Sequence, residues 1–397
     1  MTTLLQEAQA LAPALSNIRR TIHRNPELSF QEYKTAALVA DTLRSFGLRV
    51  DTGVGKSGVV GHLGTEGPIV ALRADMDALP MQELNQTDYA SQVPNVMHAC
   101  GHDAHVACLL GAAMLLRDAQ PKGCVRFLFQ PCEESLDADK GRSGAQRMIE
   151  DGAIDGVDAI FGLHVESMHD SGTVWVSEGP IAASLDDFNL VIKGIATHAA
   201  HAYQGIDAIL LTAQVVSALH TIVSRRIHPG RPGAVSIGTI RGGTRRNTLA
   251  DRVEMEGTIR CYDPNVRKTL LAEVKRASEL ARTLGGDYEL SFMEGYPAVV
   301  NDAIPTALVR SVAVQMLGEG AVHPCEPDPG SEDFSFFLQK APGCYFLLGV
   351  HTPGGPRRFL HSPHFDMDES ALPVGAAMLA QVALDYLEKR RDGSLKP

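Results

Sequence analysis

Apolar and polar positions along this chain keep two different rhythms. In the first half, short apolar runs alternate with helical stretches. The segments "SGVVGHLG" (57–64), "PIVALRADMDALP" (68–80), "GCVRFLFQP" (123–131) and "AIFGLHV" (159–165) read as strands. Between them "AHVACLLGAAMLLRDA" (104–119) is apolar on all sides and reads as a buried helix. "AQRMIEDG" (145–152) reads as a helix stopped by Gly152, and the N-terminal segment has helical spacing. Strand and helix in alternation predict βαβ units and a mostly parallel sheet. Functional groups of such sheets gather at the carboxyl ends of the strands.

From Leu185 the order changes. "DFNLVIKG", "GAVSIGTIRGG", "RVEMEGTIRCY" and "DYELSFMEG" read as strands. "GIDAILLTAQVVSALHTIVSRRI" and "PNVRKTLLAEVKRASELARTLGG" read as amphipathic helices. The resulting β-α-β-β-α-β order is the ferredoxin-like one, a small α+β sheet with two helices on one face. After "YPAVVND" the first rhythm returns, with "GCYFLLGV" as a strand and "SALPVGAAMLAQVALDYLEKRR" as a closing helix. The expectation is an α/β domain, residues 1–184 and 296–397, interrupted by a smaller domain over 185–295.

Composition narrows the class. A chain of 397 residues is long enough for two cores, and 44% hydrophobic with 21% charged residues is ordinary for a globular protein. The net charge of −11 argues against nucleic acid or an anionic membrane as the main partner. No uninterrupted apolar run reaches the ~18 residues of a membrane span, and the N-terminus does not resemble a signal peptide. Seven scattered cysteines fit reduced thiols in a cytoplasm.

Candidate chemistry concentrates in "HACGHDAH" (98–105), with three histidines, a cysteine and an aspartate. Cys100 and His102 are too close for a structural zinc pair but suit a loop entering a helix beside an open metal site. The alternative is a Cys100 nucleophile activated by His98 or His102. "QPCEES" adds Glu133 and Glu134 beyond a strand end, where two solvated loop glutamates are the bland alternative. "FGLHVES" adds His164 at the end of an apolar strand, and "LHSPHFDMDE" adds His361 and His364. The thiol reading leaves Glu133, Glu134, His164 and His361 without a task. The metal reading uses them all.

The stretches "HRNPELSFQE", "ALRADMDALPM", "HACGHDAHVA", "FLFQPCEE", "GLHV", "VEMEGTIR", "GSEDFSFF" and "HSPHF", in this order from about His23, resemble the M20 metallopeptidase family. The nearest branch is that of amidohydrolases, including hippurate, N-acyl-amino-acid and auxin-conjugate hydrolases. The resemblance implies a zinc-peptidase-like α/β domain with a lid or dimerisation domain, hence a homodimer. It implies two divalent ions (zinc, manganese, cobalt or nickel) on Cys100, His102, Glu134, His164 and His361, with Glu133 as general base. Asp75 and Asp77 would support the ligands from behind, and Asp103 would either orient a ligand or cap the helix. In the inserted domain, His198 would stabilise the oxyanion, often across a dimer interface, and Asn247 would contact substrate. Arg260 would bind a substrate carboxylate, unless it makes a strand-surface ion pair. His98, His105, His201 and His228 receive no role.

The expected activity is therefore hydrolysis of the amide of an N-acyl or N-aroyl amino acid, or of a similar small conjugate. The alternatives are a metallo-dipeptidase or aminopeptidase on the same scaffold, and a non-catalytic metal-dependent binding protein. Four departures from the family pattern fall where substrate should sit: Ala202-Tyr203 for a Pro-His pair, "NTLAD" (247–251) for N-V-I-P-D, Cys132 for a small residue, and "SLDADKGRSGA" for a shorter glycine run. They bear on specificity rather than on the reaction.

Overall fold

A computed structural model of the chain describes residues 3–395. It divides into two compact units, one of residues 1–179, 300–326 and 333–397, the other of residues 180–299 and 327–332.

Among the described residues, the larger unit holds an eight-stranded mixed sheet. Its strand order is Arg49–Val54, Gly58–Leu63, Cys124–Gln130, Ile69–Asp75, Ala159–Asp170, Gly343–His351, Val174–Trp175 and Val322–His323. The four central strands, 124–130, 69–75, 159–170 and 343–351, run parallel. The hairpin of strands 49–54 and 58–63 lies antiparallel at one side. Parallel strands covered on both faces need continuous apolar runs, and the wholly buried Leu72, Phe127, Phe129, Phe161 and Phe346 supply them. Helices His102–Ala119 and Leu372–Arg391 share that core, which is why each is apolar nearly all round.

The reading of "AIFGLHV" as a strand ending near His164 needs correcting: the strand continues to Asp170. Its unbroken burial stops at Leu163, and beyond it buried and more open positions alternate. An apolar run marks where a strand is covered on both faces, not where it ends.

Two helical segments, 208–226 and 369–391, do have the length and mean hydropathy of a membrane span. Scattered polar residues hid this from a search for uninterrupted runs. Most of the second is buried in the core of the larger unit, and the first packs one face on the smaller sheet.

The four-stranded sheet of the smaller unit is antiparallel throughout, in the order Asp287–Glu294, Ser184–Lys193, Arg252–Cys261, Gly233–Gly242. Helices Ala208–Arg226 and Pro264–Ser278 cover one face around Phe188, Leu190, Val215 and Leu270. This is the ferredoxin-like order that the sequence rhythm predicts. Strand Gly233–Gly242 lies at the sheet's edge, with its odd-numbered positions the more buried as far as Thr239.

Candidate metal centre

Four segments of the larger unit bring the candidate ligands together, one of them the strand Ala159–Asp170 with His164. Helix 102–119 starts at Gly101, whose φ is +87°, and a Cβ there would lie 2.3 Å from Val165 Cγ2. Only glycine fits this turn. It sets Cys100 just before the helix and His102 as its first residue. The strand 124–130 ends at Gln130, and the turn after Pro131 carries Glu133 and Glu134. The His361 amide donates to Ala99 O at 2.8 Å, which ties the C-terminal loop to the loop of Cys100.

Cys100 is shared by two triads of donor atoms, one with His102 and His164, the other with Glu134 and His361. Its Sγ lies 3.4 Å from His164 Nε2 and 3.3 Å from His361 Nε2. His361 Nε2 is 3.2 Å from Glu134 Oε1. A third group joins His102 with Glu133 and Glu134.

The ring tautomers can be read from the backbone. His102 Nδ1 donates to Asp77 O at 2.9 Å and His164 Nδ1 to Val165 O at 2.7 Å. With Nδ1 given to the backbone, both rings turn Nε2 towards Cys100 and Glu134, where a bound cation would take the place of a proton, as it does on ligating histidines. His102 Nε2 is buried and has no hydrogen-bond partner, while Glu134 Oε1 faces it at 4.0 Å and His361 Nε2 at 3.2 Å. A buried acceptor left this way is costly in a protein interior. A soft thiolate, imidazoles and a carboxylate around such acceptors suit a borderline transition-metal cation.

Electrostatics point the same way. Burial disfavours charge on His102, yet Asp75, Asp77 and Glu134 outweigh it and raise its pKa to about 10. The place is built for positive charge. Burial, then Glu134, Glu133 and Asp75, push the Cys100 thiol well above its ordinary range. An activated cysteine nucleophile needs an electropositive setting, so these surroundings oppose the thiol alternative. A cation beside the sulfur reverses that balance.

The supporting residues divide the work among them. Asp75 accepts from Arg73 Nη1 and from His105 Nδ1, both at 2.5 Å, and lies 3.7 Å from His102 Nε2. Burial opposes its charge, but Arg73, His102 and His105 hold the carboxyl well below its usual range. His105 Nε2 in turn accepts the Val165 amide at 2.9 Å, so neither of its nitrogens is open to a metal. Asp103 does not cap the helix: Gly101 holds that position without a side-chain bond. It accepts from Arg19 Nε at 3.0 Å and is 2.8 Å from His23 Nδ1, away from the ligands. Sequence reasoning missed fully buried Arg73, bonded to Gln130, Asp75 and Asp333; the one signal it leaves is an arginine inside an apolar strand. His98 is buried with both ring nitrogens unpartnered, and burial lowers its pKa to about 4.

His198, Asn247 and Arg260 belong to the smaller unit. His198 and Asn247 are neighbours there, because the Ala199 amide donates to Asn247 O at 2.9 Å and both side chains are exposed. His198 Nδ1 accepts from the Ala200 amide at 3.1 Å, which leaves Nε2–H of the neutral ring as a donor. Arg260 Nη1 donates to Pro329 O at 2.7 Å, a backbone partner rather than the surface carboxylate of an ion pair.

Residues 71–385 match Peptidase family M20/M25/M40. The chain belongs to this family. It is 42% identical to thermostable carboxypeptidase 2 of Saccharolobus solfataricus, over 97% of this chain and 98% of the relative. It is 40% identical to the N-acetylcysteine deacetylase of Bacillus subtilis, over 96% and 98%. Among solved structures, a B. subtilis protein described as a dinuclear metal-binding peptidase of family M20 superposes with a TM-score of 0.83. That match has 36% identity and covers 96% of this chain and 99% of the other. As an M20 member the chain is a hydrolase of the peptidase and amidohydrolase kind, and its mixed sheet with a separate smaller sheet is the architecture expected from the resemblance.

Proposed function

We propose that this M20 hydrolase is a binuclear metal-dependent amidohydrolase that cleaves the amide of N-acyl or N-aroyl amino acids. One observation carries the reading. Two donor triads share Cys100, and a carboxylate pair, buried Glu133 and partly buried Glu134, stands beside the unpartnered Nε2 of His102. Cys100, His102, Glu134, His164 and His361 would hold two divalent ions of zinc, manganese, cobalt or nickel. When bound, such ions supply Lewis acidity to the amide carbonyl and the attacking water. Glu133, largely buried, takes the water's proton and returns it to the leaving nitrogen. His198 Nε2–H donates to the developing oxyanion. Asn247 and Arg260 bind the rest of the substrate, and the substrate class is supported by the similarity to an N-acetylcysteine deacetylase.

The similarity to a carboxypeptidase favours a second reading, a peptidase acting on small peptides. A panel of N-acetylcysteine, hippurate and other acyl-amino acids set against free-amine dipeptides separates the two. Glu133→Gln tests the mechanism. Turnover of the best panel substrate should fall by at least about 100-fold, the usual weight of a general base, while metal content by elemental analysis stays at the wild-type level. Turnover near wild type overturns it.

The smaller unit supports a homodimer. Its edge strand and the helix Ala208–Arg226 leave Ile209, Leu210 and Ile240 about half exposed. The seven unbridged cysteines support a cytoplasmic setting.

A further inference from the structure

Three successive backbone amides in the turn after Pro131 point at buried carboxylates. The Cys132 amide donates to Glu32 Oε1 at 2.8 Å. The Glu133 and Glu134 amides donate to the two oxygens of Asp77, each at 3.1 Å. Asp77 meets His102 and belongs with the metal centre. Glu32 does not: it lies 100 residues before the turn, touches no candidate ligand, and is wholly buried. Its Oε1 also accepts the Phe30 amide at 2.9 Å, and its Oε2 accepts Ser57 Oγ at 2.5 Å.

The turn needs holding. Cys132 has φ +47°, in the left-handed region that a residue with a Cβ rarely adopts. Such a conformation persists only where the surroundings over-determine it. Here Glu32 takes the Cys132 amide, and the Gly144 amide donates to Cys132 O at 2.8 Å. A Cβ on Gly144 would sit 1.5 Å from Pro131 O, so glycine is required opposite the turn. The residue in this conformation directly precedes the base. A rotation about its backbone would redirect Glu133 and Glu134 together.

We propose that Glu32 is a positioning residue for the reaction: with Asp77 it fixes three consecutive amides and so sets the directions in which Glu133 and Glu134 leave the backbone. This rests on the amidohydrolase reading above. Ser57 completes the device from the hairpin side by holding the second oxygen of Glu32. Burial, then the nearby Asp77 charge, raise the Glu32 pKa to about 7, so the group is held at some electrostatic cost.

The experiment compares Glu32→Ala, Glu32→Gln and Ser57→Ala with the wild-type chain, each loaded with Co²⁺. Three quantities are read: kinetics on N-acetylcysteine, the visible spectrum of the cobalt protein, and hydrogen exchange of the peptide spanning 130–145. For Glu32→Ala we expect kcat to fall about 10–100-fold, the range for a group supporting a metal site, with KM and cobalt stoichiometry unchanged. Its cobalt spectrum should shift and its turn amides exchange faster. Glu32→Gln keeps the Oε1 acceptor and should restore all three to near wild type. Ser57→Ala should fall between and serves as the second variant if Glu32→Ala does not fold. Wild-type exchange and an unchanged spectrum in Glu32→Ala overturn the proposal, as does a kcat loss matched by lost metal. If the wild-type chain hydrolyses no acyl-amino acid, the amidohydrolase reading fails, while exchange and the cobalt spectrum still decide the role of Glu32.

Discussion

His105 is placed like a ligand and bonded like a strut. It stands within reach of His102 and Asp75, yet one nitrogen is given to Asp75 and the other to the Val165 amide. Val165 follows His164, so the Asp75–His105 pair holds the strand that presents a candidate ligand. His105→Ala or Asp75→Asn should weaken metal binding about 10–100-fold, measured by titration with a competing chelator, while Glu133 chemistry in the saturated protein is largely retained. Equal metal affinity in His105→Ala would remove the strut from the account. Cys100, His102, Glu133, Glu134, His164 and His361 were legible in the sequence because each sits in a short polar motif next to an apolar run. His105 and Glu32 were not. They act on backbone amides 60 and 100 residues away, and no local pattern records such a partner.

At the scale of elements, the rhythm of apolar positions located most strands and helices, and the change of rhythm marked the second sheet. What it missed were ends and ties. The helix Ala12–Arg24 is tied to helix 102–119 by Arg19 and His23, both bonded to Asp103. The first segment looked simply amphipathic, and its buried cationic side chains gave no sign of a partner. Burial opposes charge on His23, but Asp103, with hydrogen bonds to Asp103 and Glu83, raises its pKa to about 9 while Arg19 works against it. The folded chain therefore holds this proton more tightly than the unfolded chain, where histidine titrates near pH 6.5. The contribution is complete below about pH 6.5 and is lost as pH rises through about 9. Thermal melts between pH 6.5 and 9.5 should show a falling midpoint in the wild type and a flatter profile in His23→Gln. Parallel profiles would place the alkaline loss elsewhere.

For the whole molecule, all five candidate ligands belong to the larger unit. An ion that binds only the folded state adds about 2.7 kcal/mol at a free concentration 100-fold above its dissociation constant. Exhaustive chelation should therefore lower the melting transition of the larger unit, and Zn²⁺, Mn²⁺ or Co²⁺ should restore it. The transition of the smaller unit should move little, and calorimetry resolves the two. A single transition unmoved by chelation would count against metal in the centre.

The edge strand Gly233–Gly242 carries a different consequence. Among the described residues its outer side is ten residues of backbone with no neighbouring strand, softened by a register shift opposite Glu256 and Gly257. Bare edges are templates for pairing with another chain. A fragment of residues 180–299 made alone for structural work is thus at risk of growing strand on strand into insoluble ribbons. Lysine or proline on that one edge is the remedy to build into its design.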